Sequence, residues 1–168
     1  MRIQHIVIMG VAGCGKSSVG SALAQRLGAR LIEGDDYHSE TNRQKMSRGI
    51  PLSDADRAGW LDELSRILGD SGSRVLTCSA LKKTYRDRLR AASPGLRFVF
   101  LRIDLEEARR RVAARAAEHF FSVSLVDSQF ATLESPESER DVLTVDARDL
   151  ISHIVDRVFV WLSTEVTA

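Results

Sequence analysis

Residues 10–17 read Gly-Val-Ala-Gly-Cys-Gly-Lys-Ser and follow the apolar run Ile6–Met9. Gly10, four residues, then Gly15-Lys16-Ser17 is the G-x-x-x-x-G-K-[ST] spacing, whose chemistry is phosphate binding. A chance match in a chain of this length is on the order of one in a hundred or less at average residue usage. The glycines let the backbone curl, so N–H groups from Gly10, Val11, Ala12, Gly13, Cys14, Gly15, Lys16, Ser17 and Ser18 can face phosphate oxygens at a helix N-terminus. Lys16 supplies a mobile charge for the β- and γ-phosphates, and Ser17 a hydroxyl for Mg2+. Cys14 needs only to be small. Two alternatives are a plain glycine-rich turn and a dinucleotide loop. The glycine order is not G-x-G-x-x-G, and a Lys-Ser pair has no use in a dinucleotide site.

A second group of candidates is acidic. In "LIEGDDYH", Glu33 and Asp35 stand two apart, after a short strand expected to lie beside the phosphate loop. Phosphoryl transfer to an alcohol needs one carboxylate to orient or deprotonate the hydroxyl and another acid to help hold magnesium. An acid-rich turn around Gly34 is the plainer alternative. The basic block "CSALKKTYRDRLR" offers Lys82 and Arg86 four apart, on one helix face near a strand end. That face either meets an anionic acceptor or is simply solvated, since Lys83, Arg88 and Arg90 surround it. Arg109–Arg111 read as a solvated helix surface. Asp104 ends a strand, as a motor ATPase acid would, but Glu107 three residues on marks it as a helix N-cap. No Asn-Lys-x-Asp motif is present, which argues against a GTPase switch.

These groups must be held by alternating elements. Short β-rich runs at Ile6–Met9, Leu31–Ile32, Val75–Cys78, Phe98–Ile103 and Val142–Val145 predict five strands. Between them, Val19/Leu23/Leu27 predict a helix stopped by Gly28. Trp60/Leu61/Leu64/Ile67/Leu68 predict another, capped by Ser53 and ended by Gly69. Helical spacing recurs in residues 80–92, 104–117 and 150–162. Alternation of this kind predicts an α/β fold, a parallel sheet with helices on both faces and ligands at the carboxyl ends of the strands. The 168 residues fit one domain. With 24 basic and 23 acidic residues, bulk charge favours neither nucleic acid nor an anionic membrane. No run is long enough to span a membrane. Cys14 and Cys78 have no metal or disulfide spacing, which suggests a reducing cytoplasm.

"GVAGCGKSS", "EGDDYHSETNRQKMSRGIPLSDADRAGWL", "CSALKKTYRDRLR" and "HFF…LVDSQFATLESP" with "ERDVLTVD" together resemble the gluconokinases, relatives of shikimate and adenylate kinases. The resemblance runs in order over nearly the whole chain. It implies a three-layer α/β/α P-loop kinase domain over 1–168, with an acceptor-binding excursion near 36–60 and a mobile lid near 116–128. It implies transfer of the γ-phosphoryl group of ATP to D-gluconate, with Mg2+. Asp35 is then the base for the 6-hydroxyl and Glu33 a magnesium residue. His38, Lys45, Arg57, Ser79, Lys82, Arg86 and Gln129 are acceptor or acceptor-side residues. Arg115 stands against the adenine or phosphates just before the lid, to which His119, Phe120 and Phe121 belong. A cytoplasmic homodimer is also implied. Similar kinases commonly read His-Pro where this chain has His38-Ser39, which predicts a looser acceptor loop, and glycine where it has Glu118. The alternatives are a kinase for another polyhydroxy acid such as shikimate, or a nucleotide-binding regulatory protein without turnover.

Overall fold

The computed structural model describes residues 4–115 and 123–164. Five parallel strands, β1 (His5–Met9), β2 (Arg30–Glu33), β3 (Arg74–Thr77), β4 (Arg97–Arg102) and β5 (Val142–Asp146), form one sheet in the order β2-β3-β1-β4-β5. The helices are α1 (Lys16–Leu27), α2 (Glu40–Ser47), α3 (Asp54–Gly69), α4 (Lys83–Ala92), α5 (Leu105–Ala114), α6 (Val123–Thr132) and α7 (Ile151–Thr164), and a single 3₁₀ turn spans Gly34–Tyr37. All five expected strands are present, each within a residue or two of its sequence limits.

Alternation along each strand divides the core in two. Ile6, Ile8, Val75, Val99 and Leu101 face α1 and α7, while Val7, Met9, Leu76, Phe98 and Phe100 face α3, α4 and α5. This is the expected α/β/α layering. Gly28 ends α1 at φ 62°, its N–H reaching the carbonyls of Ala24 and Gln25. Ser53 caps α3 reciprocally, because its hydroxyl accepts from Asp56 N while Asp56 accepts from Ser53 N. Asp104 caps α5, accepting from Glu107 N at 2.8 Å, as its spacing predicts.

Three expectations need correction. β2 does not lie beside β1, because β3 runs between them. The chain passes from β1 through α1 to the sheet edge and fills the gap only on its return. Ser39 does not loosen its loop, since its hydroxyl accepts from Asn42 N and caps α2. Lys82 sits at the extended N-cap of α4, outside the helical repeat that was to align it with Arg86. The lid residues Glu118, His119, Phe120 and Phe121 fall outside the described residues.

Candidate active site

The carboxyl end of β1 opens into the phosphate loop. Gly13 and Gly15 hold φ of 84° and 95°, which L side chains rarely adopt. At Gly10, with φ 145°, an added Cβ would come within 2.7 Å of Cys14 Sγ. Cys14 itself is buried among α1 and α7 side chains. The loop thus closes over its own small residue, whose Sγ also lies 4.0 Å from Lys16 Nζ. Lys16 Nζ donates to the carbonyls of Gly10 at 3.0 Å and Val11 at 3.2 Å, so the ammonium lies across the loop mouth. Ala12 N donates to Gln129 Oε1 on α6 at 2.7 Å, which ties α6 to the loop.

One crevice runs outward from this loop. Ala12, Gly13, Gly15, Lys16, Ser17, Ser18 and Arg115 line it with Asp35, His38, Arg57, Ser79 and Gln129, residues expected on the acceptor side. Trp60, Ser128 and an apolar group containing Met46, Leu52 and Leu125 complete the wall. That small cluster joins α2 to α6, so the two helices share a roof over the crevice.

Glu33, at the end of β2, is not in that wall but meets it: Ser17 Oγ donates to Glu33 Oε2 at 3.0 Å, and Thr77 Oγ1 donates to the same oxygen at 2.6 Å. The next residue, Gly34, begins the turn that carries Asp35. An added Cβ at Gly34 would fall 2.2 Å from the Thr77 carbonyl oxygen, so only glycine brings this turn so close to β3. Trp60 Nε1 donates to Gly34 O at 2.7 Å. The Trp60 ring stacks on His38 with centroids 4.2 Å apart.

His38 is 8% exposed. Burial is the main cause that lowers its pKa to about 4, with smaller contributions of the same sign from Arg57 and Arg43; Asp35, 3.7 Å from Nε2, pulls the other way. The ring is therefore neutral at pH 7, and its Nδ1 is buried with no hydrogen-bond partner. Arg57 donates to the Tyr85 hydroxyl at 3.2 Å, Tyr85 donates to Asp54, and Lys82 Nζ reaches Asp54 at 3.0 Å. Burial raises the Tyr85 pKa first, and the Asp54 hydrogen bond adds to it.

Three cations of the sequence reading do not reach the crevice wall. Arg86 is 1% exposed and spends its guanidinium on the carbonyls of Ala80, Leu81 and Glu134 and on the Glu139 carboxylate. It ties the β3–α4 turn to the loop before β5. Lys45 is held by Asp56 at 2.8 Å, and Lys82 by Asp54. Arg111, read as solvated, is instead half-buried and donates to Gly13 O at 3.3 Å and Ala147 O at 3.1 Å, although Arg109 and Arg110 are exposed as expected. Sequence reasoning placed Trp60 in the core and gave Thr77 no role. The indole N–H of Trp60 and the two hydroxyl bonds of Thr77 become visible only once β2, β3 and α3 are assembled.

A phosphate-binding loop at one end of the crevice and a chamber of mixed polar and apolar lining at the other, on this strand order, are the features of a P-loop kinase of small molecules. The shikimate kinase of Aquifex aeolicus shares the fold at 15% identity, with TM-score 0.63 over 98% of this chain and 99% of that one. A family described as an AAA domain matches residues 6–136. The thermosensitive gluconokinase of Escherichia coli (strain K12) is 40% identical over 159 residues, 92% of this chain and 84% of that protein. The gluconokinase of Gluconobacter oxydans (strain 621H) is 42% identical over 149 residues, covering 86% and 83%. The crystal structure of a gluconokinase from Sinorhizobium meliloti 1021 superposes with TM-score 0.88 at 42% identity, covering 97% and 94%. The chain belongs to the gluconokinase family and is a phosphotransferase that uses a nucleotide.

Proposed function

We propose that the protein transfers the γ-phosphoryl group of ATP to the 6-hydroxyl of D-gluconate, giving 6-phosphogluconate. The observation that carries this is the convergence of Lys16, Asp35, His38, Arg57 and Arg115 on one crevice. Lys16 and Arg115 provide charge for the phosphates. Asp35 accepts the hydroxyl proton as the oxygen attacks the γ-phosphorus. Arg57 offers a planar pair of donors to the gluconate carboxylate. Neutral His38 and Ser79 suit the acceptor hydroxyls. Lys45, Lys82 and Arg86 act behind this wall by holding its frame.

The Ser17–Glu33 pair fits Mg2+, because its donors are all oxygen and one carboxylate with phosphates and waters is the usual magnesium shell. No group of three or more His, Cys, Asp or Glu side chains among the described residues could hold a metal alone, which accords with an ion that arrives with the nucleotide. When bound, the ion would neutralise charge on the β- and γ-phosphates.

We extend the reading to one kinase unit with an acceptor segment near 36–60 and a lid near 116–128, and to a cytoplasmic homodimer. Buried, unbridged Cys14 and Cys78 suit a reducing compartment. Leu150, Ile151 and Val160 expose apolar surface on and beside α7 that a second copy would cover; light scattering reads the oligomeric state. No helix among the described residues is long and apolar enough to cross a membrane.

A coupled ADP-release assay over a panel of sugar acids tests the activity. Gluconate should give the highest turnover. Turnover with another acid but not gluconate overturns the substrate, and no acceptor-dependent ADP points to a binding protein.

A further inference from the structure

In this sheet β1 lies between β3 and β4, and the carboxylate that bonds Ser17 directly comes from β2, on the far side of β3. The Glu33 side chain therefore passes the end of β3, where a neighbour can fix its orientation. Thr77 is the last residue of β3, in register with Glu33 on one side and Ile8 on the other. It is 4% exposed. Its hydroxyl donates to Glu33 Oε2 at 2.6 Å and accepts from Gly34 N at 3.3 Å, using both the donor and an acceptor site of the group. Its methyl packs over Gly20 of α1, where an added Cβ would lie 2.8 Å from Thr77 Cγ2. That packing leaves the rotamer little freedom, so the hydroxyl is aimed by the helix that begins with Lys16 and Ser17.

We propose that Thr77 is a positioning residue: it sets the Glu33 carboxylate against Ser17 and pins the turn that presents Asp35. The proposal rests on the reading of Ser17 and Glu33 as the magnesium side of the site. A hydroxyl that fixes a liganding carboxylate restricts its orientation, and loss of such a partner typically weakens metal binding about 10- to 100-fold. Thr77 thereby fills two roles that an ionised acid at the end of β3 could not fill together, since the hydroxyl donates to Glu33 while accepting from Gly34 N, and a carboxylate only accepts.

The test is calorimetric titration of ATP into the full chain, once with Mg2+ and once with EDTA, so that the magnesium-dependent gain in affinity is read apart from turnover. Thr77→Val keeps the shape and loses the hydroxyl, Thr77→Ala is a second hydroxyl-free variant, and Thr77→Ser keeps the hydroxyl. Glu33→Gln is measured beside them. The Val and Ala variants should lose about 10- to 100-fold of the gain, with kcat falling too, while Ser retains it. A lower melting temperature with the gain intact in Val or Ala makes Thr77 a packing residue and overturns the proposal, as does a folded Ser variant that loses the gain. If Glu33→Gln also keeps the full gain, the magnesium reading itself is wrong. If Glu33→Gln loses the gain and the hydroxyl-free variants do not, only the role of Thr77 is lost.

Discussion

At the residue scale the proposed chemistry is divided between Lys16, a charge for the donor, and Asp35, a charge for the acceptor, and they should fail differently. Asp35→Asn should lower kcat about 10²- to 10⁴-fold, the usual contribution of a positioned base, with ATP affinity by calorimetry unchanged. Near-normal turnover would remove Asp35 from that role. His38 makes a separate prediction about pH. Its folded pKa, lowered by burial to about 4, lies below the ordinary 6.5, so between those values the unfolded chain takes up a proton that the folded chain refuses. Stability is therefore complete above about pH 6.5 and falls as pH drops towards 4. The drop in denaturation midpoint between pH 7.5 and 5 should be smaller in His38→Gln than in wild type. An equal drop in both would mean that another group titrates. Residue types and spacing pointed to Lys16 and Asp35, and the family resemblance to His38; all three line the crevice. Types and spacing could not show that Arg86 turns inward, because an arginine four residues from a lysine looks the same whether its helix face meets solvent or core.

At the scale of elements, caps and close approaches fix where the turns fall. The reciprocal Ser53–Asp56 cap starts α3, and Asp56 also holds Lys45 of α2, so one side chain joins two elements of the acceptor segment. Ser53→Ala should cost about 1 kcal/mol of stability in chemical denaturation, with little change in turnover of the folded enzyme. Arg86→Met should behave in the same sense but more severely. It leaves the carbonyls of Ala80, Leu81 and Glu134 without their donor, while Glu139 keeps Arg90 at 2.9 Å, and each buried group left unpaired costs about 1–3 kcal/mol. If Arg86→Met kept its stability and lost affinity for gluconate, the guanidinium would belong to the site after all. Gly34→Ala, whose Cβ would collide with the Thr77 carbonyl, should displace the Asp35 turn and cut turnover even where circular dichroism still reports a folded chain. The sequence showed Ser53 and Gly28 plainly because caps are local. It could not show why Gly34 is glycine, since the atom that excludes a side chain lies on a strand 43 residues away.

For the whole molecule, both halves of the site rest on one sheet, so binding at either half should stabilise the whole. A non-hydrolysable ATP analogue with Mg2+ at about a hundred times its dissociation constant should add about 2.7 kcal/mol, visible as a rise in melting temperature. The apolar contact of Met46 and Leu52 with Leu125 joins the acceptor segment to α6, and Gln129 joins α6 to the phosphate loop. Gluconate added to the analogue complex should therefore raise the melting temperature further. No further rise would mean that the two halves bind independently or that gluconate does not bind.

The sequence by itself determined what depends on neighbours along the chain: the phosphate loop, the strand–helix alternation, the caps and the presence of an acid pair. Those features are set by backbone conformation and by side-chain spacing of a few residues. Tertiary structure alone decided the strand order that sends Glu33 across Thr77 to Ser17, the stacking of Trp60 on His38, and the withdrawal of Arg86, Lys82 and Lys45 into supporting contacts. Each depends on which distant surface a side chain meets. Spacing along one helix or strand gives the direction of a side chain but not what lies there to receive it.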